Sequence, residues 1–219
     1  TWGSCMVACG DADGMVAGNT RHYAATVDKL MQSIGSRDDE IVFGLCVFVN
    51  RGRTIVIADT NVIEYPTSEE LASIAKSSAR VAKLLGLDPK IAFLSHSTFG
   101  QPETDRTKRI SKAVEMLKDE KVEFLFDGEM QPDVALNNKY KGTYSFSNIV
   151  GSANVLVMPS IHAAAISIKM LKELSRGKVF GPLLIGLAQP IEVAPLRSSS
   201  SEILNLASIA AYSSEIIKY

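Results

Sequence analysis

The sequence predicts an α/β protein, a three-layer sandwich with helices on both faces of a mostly parallel sheet. Three observations carry this. Strand-sized and helix-sized segments alternate from residue 90 onward, which is the pattern of βα units feeding a parallel sheet. The strand candidates Ile41 to Val49 and Val179 to Gly186 are almost wholly apolar, as befits strands covered on both faces. With 219 residues, 46% of them hydrophobic, the chain can bury such a core.

In chain order, Trp2 to Val7 reads as an apolar helix, and Gly10-Asp11-Ala12-Asp13-Gly14 as a turn. Helical character then resumes to about Ile34, and Gly35 to Asp39 is the most polar break, a candidate domain boundary. Strands follow at Ile41 to Val49 and Thr54 to Asp59. Asn50-Arg51-Gly52-Arg53 joins them as a hairpin that adds an antiparallel edge. Thr67 with Glu70 forms a capping box for a helix whose inner face is Leu71, Ile74, Ser78, Val81 and Leu85, ended by Gly86. Lys90 to Ser95 is a strand, Asp105 to Lys118 a helix, Phe124 to Phe126 a strand, and Pro132 to Asn137 a short helix. Asn154 to Met158 and Val179 to Gly186 are strands on either side of a helix from Ala163 to Arg176. The last helix, Ser200 to Lys218, opens on a second capping box, Ser199 with Glu202.

A net charge of −1 supplies no field for nucleic acid or an anionic membrane surface, so neither is expected as a partner. The apolar runs fall short of the roughly 20 residues a membrane-spanning helix needs. Cys5, Cys9 and Cys46 do not form a disulfide framework. They read as small buried thiols in a reducing, cytoplasmic setting, the alternative being two ligands of an incomplete metal site. A chain that opens on Thr1 in mid-helix is expected to be part of a longer polypeptide.

Ligands of open parallel sheets bind beyond the carboxyl ends of the strands. Four loops are placed there: Ser95 to Gly100, Asp127 to Asp133, Pro159 to His162, and Pro190 to Ser201. The first offers hydroxyls, N–H groups and a glycine, which either cradle an anion or bond only to one another. Asp127, Glu129 and Asp133 could hold a divalent cation, though such residues more often cap the next helix. His96 and His162 have no nucleophile at a triad spacing, and the serines at Ser198 to Ser201 are explained by the capping box.

The strings GDADGMVAG (10–18), SHSTFG (95–100), DGEMQPDVAL (127–136), ANVLVMPS (153–160) and GPLLIGLAQP (181–190) together resemble phosphotransacetylases, the phosphate acetyl/butyryltransferase family. DGEMQPDVAL and GPLLIGL are most similar to the copy fused behind the catalytic part of bacterial NADP-dependent malic enzymes. The resemblance implies a fold like that of isocitrate and isopropylmalate dehydrogenases, with two α/β domains, a cleft and dimerisation through the second. Residues 1–36 and 188–219 would belong to the first domain, and 37–187 to the second, which forms the dimer interface and one wall of the cleft. It also implies a CoA site, here Lys169 and Phe180, beside the rim residues Ser95, Ser97, Thr98 and Phe99.

The departures decide the expected function. Active members carry Ser-Arg-Gly and then an Asp before the last helix, to stabilise the acyl-transfer oxyanion and take the thiol proton. The matching positions here are Pro195, Leu196 and Glu202, with Arg197 displaced by one. The arginine of the CoA site is Glu173, a polar string after the β-strand proline is Ser160 to Ala165, and an Arg-Pro pair is Asp28-Lys29. One lost oxyanion donor costs on the order of 10²–10³ in rate. The expectation is a non-catalytic regulatory and oligomerising domain, without cofactor or metal of its own, sensing acetyl-CoA or a related acyl-CoA. NADP and a divalent metal would belong to an N-terminal malic enzyme domain, its partner along with further copies of itself. The alternative is an active phosphate acetyltransferase using Arg197 and Glu202.

Overall fold

The structure is a computed structural model that describes residues 2–37, 40–59, 61–140 and 142–217, the side chains of 215–217 excepted. Asp38 and Asp39 of the expected polar break, and Lys218 of the last helix, lie outside the described residues.

The elements are α1 (Trp2–Cys9), β1 (Met15–Gly18), α2 (Tyr23–Ser33), β2 (Phe43–Asn50), β3 (Arg53–Ala58), α3 (Ser68–Leu84), β4 (Lys90–Leu94), α4 (Asp105–Asp119), β5 (Leu125–Met130), α5 (Pro132–Leu136), β6 (Val155–Val157), α6 (Ile161–Leu174), β7 (Lys178–Ile185), β8 (Ile191–Ala194) and α7 (Ser200–Ile217). Six strands form one sheet in the order β5-β4-β6-β3-β2-β7, and β1 pairs with β8 in a second. The chain divides into two compact units, Thr1–Cys46 with Phe180–Tyr219, and Val47–Val179, the boundaries falling inside β2 and β7.

In the larger unit β5, β4, β6 and β3 are mutually parallel, with Ile91 opposite both Phe126 and Val155. Ile91, Phe93, Val56 and Val155 are fully buried there, beneath Leu71 and Ile74 of α3 and Leu117 of α4. α3 begins at the expected capping box: Glu70 N–H donates to Thr67 Oγ1 at 3.2 Å and Thr67 N–H to Glu70 Oε2 at 2.7 Å. Leu85, expected on its inner face, stands instead at the C-cap, where it is exposed. Thr104 and Thr107 cap α4 reciprocally. Pro132 starts α5, where its missing N–H costs no helix bond. α6 buries only Ala164 and Ile168 and leaves Ile166, Met170 and Leu174 exposed.

Arg51 (φ 48°) and Gly52 (φ 77°) make the two-residue turn between β2 and β3, with both central residues left-handed as hairpin twist requires. The hairpin is not an edge, however, since β7 lies beyond β2. Gly181 packs on Leu45 and Cys46 while Gly186 packs on Ile41, so β7 runs antiparallel to β2.

The smaller unit corrects two readings. The stretch Met15–Gly18, expected to be helical, is a strand parallel to Ile191–Ala194, itself expected to be loop. Each has four residues, too few to show a period of two against the helical one. α7 packs on both strands, and α1 and α2 cover β1, burying Val7, Val27, Leu30, Val193 and Leu206. Cys5 and Cys9 are exposed on α1, contrary to their reading as buried thiols, and Cys46 is buried.

Candidate functional site

The carboxyl end of β4 carries Ser95 to Gly100, and beside it β5 runs longer than its apolar part suggests. Asp127 to Met130, expected to be loop, continue the strand, and its polar side chains are turned inward. Gly128 makes this possible. Its φ is 149°, and a Cβ there would lie 2.8 Å from both Cβ and O of Phe93, so β5 approaches β4 more closely than a side chain would allow.

Glu129 is thereby delivered beneath the loop, 1% exposed. Its Oε1 accepts from Ser97 Oγ at 3.0 Å and Gly100 N–H at 2.7 Å, and its Oε2 from Ser111 Oγ of α4 at 2.6 Å. Its carbonyl accepts from Phe99 N–H at 2.8 Å. Ser95 and Ser97 share a bond of 2.9 Å between their hydroxyls, and Gln131 N–H donates to Thr98 Oγ1 at 3.2 Å. Burial pushes the Glu129 carboxyl up. The bonds from Ser111, the Gly100 N–H, its own backbone N–H and Ser97 outweigh that and hold it below the ordinary carboxylate range.

Thus Ser95, Ser97, Thr98 and Phe99 are brought together, with the inward donors of the first two committed to the protein itself. Phe99 sits at φ 49°, and its ring meets Tyr144 at 5.5 Å and Phe146 at 4.8 Å between centroids. Phe146 is 65% exposed, so the rim ends in an aromatic cluster open to solvent. Lys169 is exposed on α6, one turn before Glu173, and Phe180 is half-buried on β7 in the other unit.

The other candidates have local occupations. Asp127 accepts from Gly128 N–H at 3.0 Å and Asn148 N–H at 2.8 Å, and Asp133 lies in the first turn of α5. Among the described residues no group of three potential ligands is placed to hold a metal ion. The His96 carbonyl accepts from Gln131 Nε2. His162 Nε2 lies 3.8 Å from Glu64 Oε1 on the surface. Sequence reasoning missed Ser111, which lies on α4 outside every motif quoted above, and the role of Glu129. The inward polar run Asp-Gly-Glu was the available signal, a polar interruption that reads more simply as a loop.

In the smaller unit, β1 and β8 end side by side at Asn19 and Pro195. Arg197 (φ 63°) donates its N–H to the Asn19 carbonyl at 3.2 Å, and Ser198 N–H and Oγ both donate to the Pro195 carbonyl. Glu202 Oε2 accepts from Ser199 N–H at 2.8 Å and Ser199 Oγ at 2.9 Å, closing the expected capping box together with Glu202 N–H on Ser199 Oγ.

The family model described as phosphate acetyl/butaryl transferase matches residues 1–211. The chain belongs to that family. Among its relatives, an NADP-dependent malic enzyme of Rhizobium meliloti is 47% identical over 94% of this chain and 27% of its own length. A phosphate acetyltransferase of Acetivibrio thermocellus is 31% identical over 99% of this chain and 68% of its own. A phosphotransacetylase crystal structure from Streptococcus pyogenes superposes with a TM-score of 0.91 at 31% identity, covering 98% of this chain and 67% of that one. The chain therefore spans about a quarter of the malic enzymes it matches, and in them this family's fold is one part of a larger protein. Among the described residues no helix is long and apolar enough to cross a membrane.

Proposed function

We propose that this chain is a non-catalytic, regulatory and oligomerising domain of an NADP-dependent malic enzyme, and that it senses acetyl-CoA or a related acyl-CoA. The observation that carries the reading is the state of the loop between β8 and α7 and of the first turn of α7. At the positions where the resemblance puts the acyl-transfer serine and arginine stand Pro195 and Leu196, neither of which can donate a hydrogen bond from its side chain. At the position of the base stands Glu202, whose carboxylate is occupied by the N–H and hydroxyl of Ser199. The higher identity to malic enzyme than to acetyltransferase supports the same parent.

In this reading Thr98, Phe99 and Lys169 of the larger unit meet the acyl-CoA, and Ser95 and Ser97 support the rim from behind. The isocitrate and isopropylmalate dehydrogenase-like architecture belongs to the same proposal, as do the N-terminal malic enzyme domain with its NADP and metal, self-association, and a cytoplasmic setting. The effector acts on malate oxidation only through unequal affinity for two states of the assembly. Calorimetry of the chain with acetyl-CoA, beside malate oxidation by the full-length enzyme with and without it, tests this. Binding together with a changed rate is expected, and neither binding nor a rate effect sinks the reading.

A second reading, an active phosphate acetyltransferase, is favoured by Arg197, exposed and one position from the family arginine. Thiol release from acetyl-CoA in phosphate separates the two. Turnover above background would favour the second.

A further inference from the structure

The sequence left open whether Ser95 to Gly100 cradles an anion or bonds only to itself. The geometry is that of an anion site already full. Two hydroxyls and one backbone N–H, from β4's loop and from α4, converge on the two oxygens of Glu129 at 2.6 to 3.0 Å. The residue is 1% exposed. Among the described residues, no lysine, arginine or histidine forms a salt bridge with it. A carboxylate buried without a cation persists only where neutral donors stabilise its charge. Convergent neutral donors are also what proteins aim at oxyanions of ligands and intermediates. The place fits as well, since this is the carboxyl end of parallel strands, where ligands bind in such sheets.

We propose that the Ser95–Gly100 loop, together with Ser111, is an oxyanion-binding site that the protein fills with its own Glu129 side chain. A small external oxyanion, carboxylate or phosphoryl, enters only when Glu129 is withdrawn. The tethered carboxylate fixes the rim. With Gly100 N–H and Phe99 N–H both drawn onto Glu129, Phe99 is kept at a positive φ that a bulky residue otherwise avoids, and its ring is held against Tyr144 and Phe146. The site thus serves as an internal clamp, and the Ser97 hydroxyl, backed by that of Ser95, meets Glu129 where a ligand phosphate would have been expected. This stands independently of the acyl-CoA reading, because no acyl-CoA enters its test.

The test is chemical replacement of the side chain. Glu129→Ala in the 219-residue chain empties the hole, and thermal unfolding is followed against formate, acetate and phosphate at constant ionic strength, with chloride as the balance. The variant is expected to melt lower than the parent and to regain about 4 °C or more with formate in a saturable way. The parent should move little, since its hole is occupied. The comparison with the parent also removes general stabilisation by excluded salts. A response to phosphate as well would show a hole wide enough for a phosphoryl group, and a response to formate and acetate alone one limited to carboxylates; both support the site. A folded variant that responds to none of the three anions more than the parent does overturns it. Should Glu129→Ala not fold in chloride, refolding from urea in formate decides: recovery supports the proposal, and no recovery overturns it.

Discussion

Two buried glutamates show how the same side chain is tuned in opposite directions by the number of donors around it. Glu129 has three donors on its carboxylate and is held in the charged form. Glu192 of β8 is 4% exposed and receives one bond, from Leu184 N–H at 2.9 Å. Burial, only partly offset by that bond, pushes its carboxyl up to about 8 from an ordinary value of 4.5. Between those values the folded chain keeps a proton that the unfolded chain releases, so stability falls as pH rises through the window and levels off above it. The slope inside the window approaches about 1.4 kcal/mol per pH unit. Glu192→Gln retains an acceptor for Leu184 N–H and has no proton to lose. Urea midpoints at pH 5.5 and 8.5 should show the variant losing less stability than the parent over that interval, and parallel profiles would refute the assignment. Glu129 acts with the opposite sign, since its lowered carboxyl supplies stability that is lost on acidification.

Among the elements, those with internal punctuation were legible. α3 is announced by Thr67 and Glu70, and its first turn forms as expected. Thr67→Ala should therefore cost about 1 kcal/mol by leaving the Glu70 N–H without its acceptor, measurable as a lowered urea midpoint with unchanged slope. A loss below about 0.3 kcal/mol would mean that water caps the helix equally well. The turn at Arg51-Gly52 was equally plain, because few dipeptides accept two positive φ angles. Where the pattern failed, tertiary structure had overruled local appearance. β1 and β8 are strands only because each completes the other. The end of β5 looks like loop because its polar residues find partners that no local rule reveals: Asp127 reaches Asn148, and Glu129 reaches Ser97 and Ser111. The candidate site was legible in position, through the SHSTFG loop, while Glu129 lay 29 residues beyond Gly100 in a segment read as loop.

At the scale of the whole molecule, the departures from the acyltransferase pattern are dispersed. Pro195 and Leu196 lie between β8 and α7 and Glu202 in the first turn of α7, all in one compact unit, and Glu173 lies on α6 in the other. In the proposed reading, departures in both units mark a scaffold relieved of catalysis rather than one with a single repairable lesion. Restoring two groups leaves the Glu202 carboxylate in its capping box and an acidic side chain at the position where the family pattern has an arginine. Each oxyanion donor is worth on the order of 10²–10³ in rate only when the rest of the machinery is present, because groups that act as a unit are strongly non-additive. The Pro195→Ser/Leu196→Arg double variant is therefore expected to release thiol from acetyl-CoA and phosphate no faster than the parent chain. A urea midpoint matching the parent's would show that the substitutions had not simply unfolded it. A rate ten or more times above the parent (about 1.4 kcal/mol of barrier) would mean that the lesion was local and the remaining departures silent. The chain would then be an acyltransferase switched off at one loop, with no dispersed loss to explain.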